Sequence, residues 1–100
     1  MSNILVVGGG AAGMMAAGIA AKNGHRVVLL ERNDRLGRKL MITGKGRCNV
    51  TNAADRETFF QNVCTNEKFL YSAFSGFDNQ AVMALFEKAG CPLKTERGER

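Results

Sequence analysis

Two uninterrupted apolar runs bracket a long stretch of small residues at the start of the chain. Ile4-Leu5-Val6-Val7 is rich in branched residues and lacks polar alternation, the pattern of a parallel strand buried on both faces. It stops at Gly8-Gly9-Gly10. Ala11 to Asn23 then carries small and straight-chain residues without proline and ends at Gly24, which predicts a helix with a glycine stop. Arg26 to Glu31 is a second strand, apolar up to its charged end. Strand, helix and strand within about thirty residues make a βαβ unit with a right-handed crossover.

The pattern changes after residue 52. Asp55–Val63 and Glu67–Phe77 read as short helices, with Phe59, Phe60, Phe69, Leu70 and Phe74 on apolar faces. Asp78 is placed to cap a helix over Asn79–Ala89, with Val82, Leu85, Phe86 and Ala89 at helical spacing, Gly90 as the stop and Pro92 beyond. Leu93 to Glu96 alternates like a strand and reaches a turn at Gly98, as the first arm of a β-hairpin would. The expected class is therefore α/β: a βαβ unit with its following loop in residues 1–52, and a mainly helical continuation of the same domain in residues 53–100. Nothing in the second half resembles a third parallel strand. The sheet is expected to be incomplete, and the rest of a longer polypeptide to be needed to complete it.

Composition narrows the class further. With 45% hydrophobic and 23% charged residues, the chain has a globular balance. Its net charge of +5 is unevenly placed, residues 1–50 carrying +6 and residues 51–100 carrying −1. An anionic partner is implied for the first half. Ile4 to Ala21 is free of charge over eighteen residues, but five are glycines. Each of these costs about 1 kcal/mol in a helix interior, and no basic segment precedes them. Neither a membrane span nor a signal peptide is expected. Cys48, Cys64 and Cys91 are too few and too widely spaced for a disulfide framework or zinc knuckle, which suggests a reducing cytoplasm. Cys64 and Cys91 read as core or incidental, Cys48 as a small buried residue, and His25 as a surface residue.

The candidate chemistry lies in Gly8-x-Gly10-x-x-Gly13, between a strand and a helix. Gly8 would permit a sharp exit from the strand, Gly10 would let a pyrophosphate approach the backbone, and Gly13 would let the helix pack closely. Free N–H groups and the positive end of the helix dipole would hold the phosphates. Glu31 closes the second strand 21 residues after Gly10, where a carboxylate can accept hydrogen bonds from ribose hydroxyls. That acid disfavours a 2′-phosphate, so NADP is the least suitable ligand here, and NAD and FAD remain.

Residues 38–52 read as a cofactor loop. Gly44 and Gly46 allow close approach, while Arg38, Lys39, Lys45 and Arg47 can offset pyrophosphate charge. Asn49, Thr51 and Asn52 supply neutral groups of the kind that fix an isoalloxazine edge. Gly44-Lys45-Gly46 is no Walker A motif, because it lacks the earlier glycine and the Ser/Thr. Neither a nucleophile triad nor a set of metal ligands is visible, so no catalytic residue or metal is assigned.

The longer string, with the glycine motif followed by Ala17, then Gly24-x-x-Val27, Glu31 and Gly37, resembles the two-dinucleotide-binding-domain flavoproteins. Many of those have Gly-Gly where this chain has Gly37-Arg38. Residues 37–52, ending Thr-Gly-Lys-Gly-Arg-Cys-Asn-Val-Thr-Asn, are similar to the signature of the BaiN-like or aminoacetone-oxidase-like bacterial FAD-binding proteins. Leu85–Gly90 and Leu93–Glu96 are similar to the same family's continuation. The resemblance covers essentially the whole chain, and Thr43–Asn52 is its specific part. It implies the N-terminal part of a Rossmann-like FAD-binding domain in an FAD-dependent oxidoreductase, inactive without the rest. Gly8, Gly10, Ala11, Ala12, Gly13, Glu31 and Arg32 would surround the ADP part of FAD, with Arg38, Lys39 and Asn49 toward the pyrophosphate and flavin. NAD(P)H is a candidate electron donor for an unidentified small-molecule substrate, with no nucleic acid or membrane as partner. Two alternatives stay open: an NAD-binding dehydrogenase domain, and a non-enzymatic basic module that binds nucleic acid with steep salt dependence.

Overall fold

The computed structural model describes residues 1–44 and 48–99, which fall into two compact units, Met1–Cys48 and Asn49–Arg100. Lys45, Gly46 and Arg47, read above as part of the cofactor loop, lie outside the described residues.

The first unit is the βαβ unit. Strand β1 (Asn3–Val7) runs parallel to β2 (Arg26–Leu30), with Asn3 opposite Arg26 and Val7 opposite Leu30. Between them, helix α1 (Ala11–Lys22) packs against both strands. Gly24 ends the helix at φ 88°, a left-handed value that a side chain would resist. The Gly24 N–H donates to the Ala21 carbonyl at 3.0 Å and the His25 N–H to the Ala20 carbonyl at 3.2 Å. His25 is half-buried and not free on the surface: its Nδ1 accepts the Ser2 N–H at 3.1 Å.

Both strands alternate in exposure despite their continuous apolar composition. Ile4, Val6, Val27 and Leu29 are half-buried. The intervening residues are open, Val7 being 80% and Leu5 60% exposed, with Val28 and Leu30 about half exposed. The expectation of burial on both faces is thus corrected. One helical layer covers one face of a two-stranded sheet, and the pleat sends alternate side chains to the other.

Beyond β2, Gly37 turns the chain at φ 66° into a short helix, α2 (Arg38–Ile42). The expectation of a continuous loop over residues 38–52 is corrected here. The five residues of α2 are mostly straight-chain and carry good helix propensity, which the basic character of the segment obscured.

The second unit is helical. Helix α3 (Arg56–Gln61) is capped by Asp55, whose Oδ1 accepts the Thr58 N–H at 2.8 Å. That bond holds the Asp55 carboxyl below its ordinary range. A 3₁₀ turn (Glu67–Leu70) leads into α4 (Tyr71–Gly76), and α5 (Asn79–Lys88) is capped by Asp78, which accepts the Ala81 N–H at 2.9 Å. Gly90, at φ 92°, stops α5, and the Cys91 N–H closes the end on the Phe86 carbonyl at 2.9 Å.

Phe59, Phe60, Tyr71 and Phe74 form an aromatic cluster with ring centroids 4.6–5.8 Å apart. The Arg56 guanidinium lies 5.0 Å from the Phe60 centroid and 5.6 Å from that of Phe74. Phe69, expected on an apolar face, is 86% exposed, and Leu70 also faces solvent. The tighter 3₁₀ turn places residues at three per turn instead of 3.6, which rotates Phe69 away and brings Tyr71 into the cluster. Leu93–Glu96 forms no ladder among the described residues. Gly98 does turn, at φ 75°. The three cysteines are exposed, so none serves as a small buried residue. No helix among the described residues is long and apolar enough to cross a membrane.

Candidate nucleotide-binding site

The site is built where β1 and β2 both end. Gly8 continues the ladder by one bond, its N–H donating to the Leu30 carbonyl at 2.8 Å, and turns the chain at φ 106°. That conformation is open to glycine and costly to residues with a Cβ. The chain then enters α1 at Gly10, which is extended at φ −80° and supplies no side-chain cap. The first turn of α1 carries no acid. Among the described residues, no acceptor meets the N–H groups of Ala11, Ala12 or Gly13. The first amides of a helix have no partner within it, so these three remain available to an anion.

Gly10 and Gly13 differ in what surrounds them. A Cβ at Gly13 would overlap the Gly8 carbonyl oxygen and lie 2.9 Å from the Gly8 carbonyl carbon. Helix and turn therefore touch backbone to backbone. A Cβ at Gly10 would meet nothing within 4 Å. Neither packing nor backbone angle requires a glycine there, and open space lies beside the free amides.

Glu31 meets this turn directly. Its Oε1 accepts the Gly9 N–H at 2.8 Å and its Oε2 the Asn33 N–H at 2.7 Å. The Asn33 amide, then the Gly9 amide, hold the Glu31 carboxyl below the ordinary glutamate range, with the Arg32 charge adding to the effect. A carboxylate offers about four lone-pair sites, so two accepting positions remain for a ligand. The Gly37 N–H donates to the Gly9 carbonyl at 2.8 Å, and Arg38 Nη1 donates to Asn33 Oδ1 at 3.2 Å. Three loops thereby converge: residues 8–13, 31–33 and 37–38.

Of the residues singled out from sequence, Gly8, Gly10, Ala11, Ala12, Gly13, Glu31 and Arg38 belong to this constellation. Arg32 and Lys39 are exposed beside it. Asn49 is exposed and belongs to the second unit. Sequence reading missed Gly9 and Asn33. Gly9 is buried, and its two peptide groups tie the turn to Glu31 and to Gly37. The signal was available in the third glycine of Gly8-Gly9-Gly10 and in a short polar residue two positions after the acid.

Residues 2–100 match the family described as HI0933-like protein Rossmann domain. The chain belongs to that family. It is 45% identical over 100 residues to the 3-dehydro-bile acid delta(4,6)-reductase of Clostridium scindens, covering 98% of this chain and 24% of that protein. It is 34% identical over 86 residues to the ribosomal RNA dihydrouridine synthase of Escherichia coli, covering 86% of this chain and 21% of that one. A shorter match, 56% identical over 39 residues, joins 39% of this chain to 6% of the NADH oxidase of Thermoanaerobacter brockii. The chain spans less than a quarter of the length of these relatives. The Rossmann class read from the glycine motif is thereby established, with oxidoreductases among the relatives.

Proposed function

We propose that this chain is the FAD-binding opening of an oxidoreductase, holding the ADP half of the cofactor in its first unit. The observation that carries the reading is the open row of α1 amides above Gly10, next to a Glu31 carboxylate tied to the same turn at 2.8 Å. Ala11, Ala12 and Gly13 would donate to pyrophosphate oxygens, with Gly10 yielding the space. Glu31 would accept the ribose hydroxyls at its two remaining positions. Arg38 and Lys39 follow Gly37, whose N–H is bonded to the Gly9 carbonyl of the same turn, and would offset phosphate charge. In the second unit, Asn52 spends its side chain internally, accepting the Ala54 N–H at 2.9 Å and donating to the Gly98 carbonyl at 3.0 Å. That leaves Asn49 and Thr51 as the neutral polar side chains of residues 49–52 outside these two bonds. When bound, the flavin supplies hydride acceptance and delivery.

The relatives' names lend support to one substrate class. A bile-acid reductase and a dihydrouridine synthase both imply hydrogen added across a carbon–carbon double bond. We therefore infer reduction of such a bond in a small molecule, with NAD(P)H as donor. An RNA substrate is the second reading, favoured by the +6 charge of residues 1–50 and by the Escherichia coli relative.

The intact protein tests these readings. A yellow preparation with flavin absorbance, bleached anaerobically by NADH or NADPH, is the expected result. A colourless protein that binds NAD would favour the dehydrogenase reading instead. Binding to ribosomal RNA that weakens steeply with salt would favour the second substrate.

A further inference from the structure

The contacts around Glu31 close into a circuit that lies wholly within the first unit. The Gly9 N–H donates to Glu31 Oε1, and the Asn33 N–H donates to Glu31 Oε2. Asn33 Oδ1 in turn accepts Arg38 Nη1 at 3.2 Å. Gly37, next to Arg38 in the chain, returns to the Gly9 carbonyl at 2.8 Å. Asn33 is half-buried and links acid to base, reaching Glu31 through its backbone and Arg38 through its side chain.

Among the described residues, Glu31 and Arg38 form no ion pair with each other. A direct pair would commit carboxylate oxygens and guanidinium donors to one another. A neutral amide between them leaves the remaining oxygen lone pairs and N–H groups uncommitted to that pair. The tie also restrains a long side chain, and ordering such a side chain only at the moment of binding weakens affinity.

We propose that Asn33 is a positioning residue of the nucleotide site, holding the Arg38 guanidinium apart from the Glu31 carboxylate so that a diphosphate meets the one and a ribose the other. This rests on the nucleotide reading above. Asn33 need not touch the ligand; it sets the acceptor and the cation that do.

Asn33→Asp is the informative substitution in the intact protein. It keeps the shape, the Oδ1 acceptor and the backbone N–H, but puts a negative charge where the neutral amide stood. The unfolding temperature should hold or rise, since an ionised acceptor strengthens the bond to Arg38. ADP-ribose should nevertheless bind about tenfold more weakly at low salt, with the deficit shrinking as salt is raised. A residue that only braced the loop would leave that affinity unmoved. Asn33→Ala frees Arg38 without adding charge and should weaken ADP-ribose about fivefold. It should add nothing once Arg38→Ala is present, because its effect passes through that side chain. Should the aspartate variant not fold, the alanine variant and its cycle with Arg38→Ala decide. Wild-type ADP-ribose affinity in the folded aspartate variant would overturn the proposal. So would full additivity of Asn33→Ala and Arg38→Ala. Either result, with the wild type binding FAD and ADP-ribose, leaves the nucleotide reading standing. A wild-type protein that binds neither ligand sinks that reading, and the proposal with it.

Discussion

Gly10→Val separates what the fold needs from what a ligand needs. Gly10 sits at φ −80° and ψ −167°, an extended conformation that valine adopts freely. A Cβ there has no neighbour within 4 Å. Valine is a poorer helix cap than glycine by several tenths of a kcal/mol, while a less flexible unfolded chain returns roughly 0.4–1 kcal/mol. The two nearly cancel, so the stability of the apoprotein should change by less than about 1 kcal/mol. The ligand meets a different situation. Valine's methyl groups fill the space through which a pyrophosphate would reach the Ala11, Ala12 and Gly13 amides. Charge-assisted hydrogen bonds are worth about 1.5–3 kcal/mol each. Losing one or two of them amounts to about 3 kcal/mol, or roughly a hundredfold in affinity. The assay is flavin fluorescence titration of the intact apoprotein, beside its thermal unfolding. Wild-type FAD affinity in this variant would refute the phosphate site. A collapsed unfolding temperature would show that the fold itself requires the glycine.

Gly13→Ala should behave in the opposite way, because its Cβ meets the Gly8 carbonyl, which cannot rotate aside as a side chain can. A loss of about 1–3 kcal/mol is expected in denaturant unfolding, and an unchanged midpoint would contradict the backbone contact. Glu31→Gln leaves one of the Gly9 and Asn33 amides without a carboxylate oxygen, and should weaken FAD and ADP-ribose in parallel, by about tenfold each. Divergence of the two affinities would remove Glu31 from the ribose site. Since Glu31 is held below its ordinary range when folded, its contribution is present above the unfolded value and lost as pH falls through the folded one. Acid titration of stability should show this loss in the wild type and lack it in Glu31→Gln. Asp78→Ala removes the acceptor for the Ala81 N–H and should cost about 1 kcal/mol with no change in ADP-ribose affinity.

The parts legible in sequence were those punctuated by local backbone demands. Gly8 and Gly24 take left-handed angles where the strand and α1 end, and β1, α1 and β2 fall within one residue of the ranges read from pattern. Asp78 was equally readable, because a cap acts within its own turn, whereas Asp55, expected as the first residue of its helix, proves to be the cap. What escaped depended on phase or on distance. Phe69 points outward because a 3₁₀ turn, preceded by Asn66 at φ 56°, breaks the 3.6-residue phase. Asn79 meets partners 25 and 27 residues away, and no local periodicity encodes such a tie. Glu31 was placed correctly beside the glycine turn, but its oxygens are half committed to Gly9 and Asn33 before any ribose arrives.

That commitment bears on how the site is prepared. Helices α3 and α5 each begin with an aspartate that accepts an amide of its first turn. Helix α1 has Gly10 at that position and no acid in the turn behind it, although an acid there would add about 0.3–1 kcal/mol. The nearest carboxylate, Glu31, is held to one side by the Gly9 and Asn33 amides, so it caps neither Ala11, Ala12 nor Gly13. The same two bonds fix the acid's orientation while leaving part of its accepting capacity free. Open donors and a restrained acceptor thus stand side by side on one turn. A diphosphate joined to a ribose presents acceptors and donors in that same adjacency, which is the ground for proposing the ADP half of a dinucleotide here and not a simple anion.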